Sequence, residues 1–127
     1  MYHQCYEEEI GMYKYIINGG YRLHGETFVS GSKNASLPIL AATIISGKTT
    51  RLYNVPNIED VKTTLEILQE IGCKVKRDKN KIIINSKDAS NTTIPDDLMR
   101  KLRSSVIIVG AILSRFKEAK FSYPGRL

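Results

Sequence analysis

Apolar residues at positions 37, 40, 41, 44 and 45 fall at offsets 0, 3, 4, 7 and 8, one stripe of an α-helix. Pro38 is expected in its first turn, where a missing N–H does no harm, and Gly47 ends it. A second stripe, Val61, Leu65, Leu68 and Ile71, predicts another helix. Asn57, with Asp60 three residues on, marks its start, and Gly72 is its natural C′ residue. Tyr15-Ile16-Ile17, closed by the turn signal Asn18-Gly19-Gly20, reads as a strand, as do Thr27-Phe28-Val29 and residues 49–53. Residues 73–77 and 81–85 read as a hairpin around Asp78-Lys79-Asn80. From the strand at 27–29 the order is β, α, β, α, β, β, the pattern of an α/β fold.

A second unit opens at Pro95-Asp96-Asp97 and runs as a helix, or a broken pair of helices, to about Phe116. Its second half, 106–113, is apolar nearly all round and is expected to be buried on every side. Residues 120–123 resemble a strand, after which the sequence stops. A unit that begins and does not finish predicts truncation, and an uncovered apolar helix predicts self-association.

The length of 127 residues predicts one domain, and 42% hydrophobic with 25% charged residues is globular composition. No apolar run approaches the roughly 20 residues a bilayer span requires. Glu7, Glu8 and Glu9 stand where a secretory signal would be basic and then apolar, so the expected location is cytoplasmic. Residues 1–13 read as a polar extension, with Met12 as an alternative start to Met1, and 14–127 as the domain. Cys5 and Cys73 are far apart, and the histidines are only His3 and His24, so neither a metal nor a cofactor is expected. The net charge of +6 favours anionic partners.

Four features compete to receive them. Gly31-Ser32-Lys33-Asn34 delivers a lysine and an amide to a helix start, where free N–H groups favour an anion, although a solvated lysine beside a cap is the blander reading. Gly47-Lys48-Thr49 imitates the end of a P-loop, but Ala42 stands where that motif needs glycine. Arg103 could clamp a phosphate or carboxylate, or simply be solvated on its helix. Lys74, Lys76, Arg77, Lys79 and Lys81 line a hairpin face expected to lie mostly in solvent. That hairpin lacks the interleaved aromatics of a nucleic-acid binder, so no nucleic-acid partner is expected.

The run Gly31-Ser32-Lys33-Asn34-Ala35-Ser36-Leu37-Pro38-Ile39-Leu40-Ala41-Ala42 resembles the N-terminal signature of the bacterial UDP-N-acetylglucosamine enolpyruvyl transferases. The resemblance continues through Asn54-Val55-Pro56, Asp60-Val61, Leu68-Gln69-Glu70-Ile71-Gly72, Arg103-Ser104-Ser105 and Tyr123-Pro124-Gly125. The sister shikimate-pathway enzymes share the fold but have Asp-Lys-Ser where this chain has Ser32-Lys33-Asn34. The resemblance implies an inside-out α/β barrel assembled from βαβαββ units, here one complete unit and part of a second. It implies transfer of the enolpyruvyl group from phosphoenolpyruvate to the 3-hydroxyl of UDP-N-acetylglucosamine, the first committed step of peptidoglycan synthesis. Lys33 and Asn34 match the phosphoenolpyruvate-binding pair, and Arg103 matches an arginine that contacts the sugar nucleotide.

Two departures qualify that implication. The family continues Pro-Gly-Gly-Cys, its cysteine donating a proton, whereas Gly125 is followed by Arg126 and Leu127. The family's second domain, with its aspartate base, has no counterpart, so no catalytic residue is assigned and the chain is expected not to turn over alone. The competing expectation is a nonenzymatic module that binds an anion or nucleic acid.

Overall fold

The computed structural model describes residues 16–79, 81–101 and 105–122. Helix α1 (Lys33–Ser46) is capped by Ser32, whose side chain accepts from the Ala35 N–H, and Gly47 closes it at φ 60°. Strand β1 (Thr49–Tyr53) follows, then α2 (Glu59–Glu70), the strands β2 (Lys74–Asp78) and β3 (Lys81–Asn85), and the helices α3 (Asp96–Lys101) and α4 (Ser105–Phe116). The sheet has the order β1-β3-β2, antiparallel throughout. The second unit, expected as one helix or a broken pair, contributes α3 and α4, and residues 102–104 between them lie outside the described residues.

Register decides which side of the sheet faces the core. Thr50, Ile84 and Val75 align across the strands, as do Leu52, Ile82 and Arg77. Ile82 and Ile84 are fully buried in one cluster with Leu37, Leu40, Ala41 and Ile44 of α1, Val61, Leu65 and Leu68 of α2, and Ile71 at its end. Leu98 and Met99 of α3 and Ile108, Val109, Ala111 and Ile112 of α4 complete the same cluster. Burial pushes the Cys73 thiol up from its ordinary value, against a smaller opposing pull from the Arg115 guanidinium.

Several sequence expectations are corrected. Residues 16–30 form no regular element and are exposed, Phe28 completely, so the strands expected at 16–17 and 27–29 are absent; Tyr15 lies outside the described residues. A strand is stable only as part of a ladder, and among the described residues no strand neighbours these segments. Pro38 is the sixth residue of α1, past its first turn, so the Asn34 carbonyl lacks its i+4 donor. Ile45 is exposed, narrowing the buried stripe by its last member. Ile58 rather than Asn57 caps α2, without a side-chain bond. Helix α4 is buried on one side only, Val106, Ile107 and Leu113 being exposed, because α1 covers one face and no described element covers the other. The expected strand at 120–123 is reduced to a single parallel bridge between Lys120 and Thr93, with Tyr123 outside the described residues.

The end of α2 is fixed in detail. Cys73 N–H donates to the Leu68 carbonyl and Gly72 N–H to that of Gln69, both at 2.9 Å, a Schellman motif around Gly72 at φ 101°. A Cβ there would also sit 3.3 Å from the Ala89 Cα. Gly72→Ala is expected to lower unfolding free energy by about 1–3 kcal/mol, the range for a non-glycine residue held at such a backbone angle. Urea denaturation checks this, and an unchanged midpoint would contradict it.

Candidate anion site at the start of α1

The amino end of α1 is held against the loop after β1 by backbone rather than by side-chain bulk. A methyl group at Gly31 would overlap the Asn54 carbonyl oxygen and come within 3.5 Å of the Pro56 ring. Asn54 itself adopts φ 57° and donates from its side-chain amide to the Val29 carbonyl at 3.5 Å. Ser32 then serves twice, its hydroxyl accepting from Ala35 N–H and its carbonyl accepting from both Ser36 N–H and the Ser36 hydroxyl. The chain thus turns sharply into α1 and leaves the first-turn N–H groups of Lys33 and Asn34 without intrahelical acceptors. Both side chains are exposed.

Lys33 is not a free cation. Its ammonium pairs with the Asp60 carboxylate in the first turn of α2, so the pair joins the amino ends of two helices. The sequence placed Asp60 at the start of α2 and within the resemblance but gave it no ligand role; a contact across 27 positions has no local signal.

The other basic residues divide. Lys48, Lys74, Lys76 and Lys79 are exposed as expected, and Lys74 pairs with Asp88. Arg77 is half-buried instead, on the inward side of β2, donating to the Val55 carbonyl at 3.3 Å and to that of Lys79 at 3.3 Å. Its Nη1 is buried without a partner among the described residues. Lys81 lies 5.5 Å from the ring centre of Tyr53, an aromatic that β1 supplies across the sheet and that the hairpin sequence alone could not reveal. Arg103 lies outside the described residues. Among the described residues no group of His, Cys, Asp and Glu could hold a metal ion, and no helix is long and apolar enough to cross a membrane.

A small-residue turn, a lysine and unpaired helix N–H groups make a place where a phosphate could bind. The family profile described as EPSP synthase (3-phosphoshikimate 1-carboxyvinyltransferase) matches residues 17–126. The chain belongs to this family. The UDP-N-acetylglucosamine 1-carboxyvinyltransferase 2 of Caldanaerobacter subterraneus subsp. tengcongensis is 46% identical over 114 residues, 90% of this chain and 27% of that one. The UDP-N-acetylglucosamine 1-carboxyvinyltransferases of Desulfatibacillum aliphaticivorans and Psychromonas ingrahamii are 42% and 41% identical over the same shares. Among solved structures, the enolpyruvyl transferase NikO from Streptomyces tendae matches with a TM-score of 0.68 at 25% identity, covering 76% of this chain and 23% of that one. The chain therefore spans about a quarter of the length of these relatives.

Gly31→Ala is expected to detach 29–32 from the 54–56 loop while leaving the core intact. Backbone amide shifts should then change around those two segments and not in β2 or β3. Unchanged shifts at Asn54 and Val55 would contradict the close approach.

Proposed function

We propose that this chain is the phosphoenolpyruvate-handling part of a UDP-N-acetylglucosamine enolpyruvyl transferase. The observation that carries the reading is the 41–46% identity to carboxyvinyltransferases of that name, over 90% of the chain. In this reading Lys33 and Asn34 bind phosphoenolpyruvate and Arg103 contacts UDP-N-acetylglucosamine. The enolpyruvyl group passes to the sugar 3-hydroxyl with release of phosphate, the first committed step of cell-wall peptidoglycan synthesis. The ammonium and first-turn N–H groups of α1 stabilise phosphate charge as it develops. Residues 14–127 form part of an inside-out α/β barrel domain preceded by an extension at 1–13, in the cytoplasm, with neither membrane nor nucleic acid as partner.

The chain carries the phosphoenolpyruvate-binding residues of that reaction, so it binds this substrate. The exposed α4 residues Val106, Ile107 and Leu113 make it self-associate, which sedimentation would register as a mass that rises with concentration. One observation favours a nucleic-acid module instead: Tyr53 and Lys81 adjoin Arg51 and Lys76 on the outer sheet face. Asp78 shares that face and Asp88 neutralises Lys74, which weakens this alternative.

Calorimetric titration of the intact chain with phosphoenolpyruvate tests the reading. Lys33→Ala should weaken binding by roughly 10- to 150-fold, as for loss of a charge-assisted hydrogen bond of about 1.5–3 kcal/mol. Lys48→Ala should leave binding unchanged. Equal losses in the two variants would sink the assignment.

A further inference from the structure

We propose that the Asp60 carboxylate is an internal competitor for the anion at Lys33, holding the ammonium in the ligand-free protein and yielding it when a phosphate-bearing ligand arrives. The inference rests on the reading of Lys33 as a phosphoenolpyruvate ligand and adds a residue which that reading does not contain.

Lys33 stands in a locally unfavourable place. It is the first residue of α1, where the helix dipole is positive, and the first turn contains no acidic residue to offset it. A local rule broken without local compensation is characteristic of functional positions. The compensation comes from another helix, since Asp60 reaches across from α2 to the ammonium.

Asp60 had an alternative. Helix α2 begins at Ile58 with no side-chain cap, and its own first-turn N–H groups would welcome a carboxylate. The neighbouring Glu59 pairs with Lys62 on the same helix, but Asp60 bridges to α1 instead. Its carboxylate thus stands beside Lys33 as an anion in the absence of any other.

Displacement is feasible because the pair is half in water, with side-chain exposures of 52% for Lys33 and 32% for Asp60. Ion pairs of that exposure are weak. A phosphate carries more charge than one carboxylate and can also reach the unpaired N–H groups of Lys33 and Asn34. Asp60 therefore lowers affinity for every anion at this site and rejects the weakly charged ones first. It is a positioning residue, acting on the ligand through Lys33.

The test is titration of the intact chain with phosphoenolpyruvate in five forms: unaltered, Lys33→Ala, Asp60→Asn, Asp60→Glu, and Asp60→Asn combined with Lys33→Ala. Asp60→Asn should tighten binding about two- to fivefold, as for release of an exposed ion pair. Asp60→Glu keeps the competitor and should bind as the unaltered chain does. The gain should vanish in the Lys33→Ala background, which a merely structural role for Asp60 would not produce. Amide spectra that retain the core resonances of Ile82 and Ile84 establish that each variant is folded. If Lys33→Ala weakens binding but Asp60→Asn leaves it unchanged or weaker, the competitor role fails and the Lys33 assignment survives. If Lys33→Ala has no effect, or no form binds, both fail.

Discussion

The Arg115 guanidinium reaches three backbone carbonyls at once, and the placement of α1 depends on it. Its Nη1 donates to the Ile44 carbonyl at 2.8 Å and to that of Ser86 at 2.6 Å, while Nη2 donates to Lys87 at 3.2 Å. The first of these lies in the last turn of α1 and the others just past β3, so one side chain from α4 ties helix to sheet. Phe116 stacks beneath it, with the guanidinium carbon 4.8 Å from the ring centre. Ser86 adds a second tie, its hydroxyl donating to the Thr43 carbonyl at 2.7 Å. Hydrogen bonds from a charged donor are worth more than neutral ones, and those to Ile44 and Ser86 are part-buried.

Fixing α1 at its carboxyl end leaves its amino end available for chemistry. Leu37, Leu40, Ala41 and Ile44 hold the helix to the core along its length, and the polar clamp sets how far it slides. At the other end the constraint is steric, through Gly31 against the Asn54 carbonyl, and electrostatic, through Lys33 and Asp60. The amino end is therefore positioned without being covered. That combination suits a group that must receive a ligand from solvent.

Legibility in the sequence followed the range of each interaction. The two amphipathic stripes, the hairpin and the glycine stops at 47 and 72 all depend on neighbours within a few positions, and the structure has them. The segments around Ile16 and Phe28 have strand composition, but composition cannot supply a partner strand, and they lie exposed. The apolar surface of 106–113 was legible, whereas the side of it left uncovered was not, because that depends on which elements pack there. Lys33 stood out through its motif. Asp60, Tyr53 and Arg115 did not, since each acts on a residue that only the fold brings near.

The most direct test of the account follows the backbone amides of the intact chain while phosphoenolpyruvate is added. If the amino end of α1 receives the phosphate, shifts should concentrate on Gly31, Ser32, Lys33 and Asn34, with a smaller response at Asp60 across the gap between helices. Shifts confined to the outer sheet face, at Arg51, Tyr53, Lys74 and Lys76, with 31–34 unmoved, would contradict it.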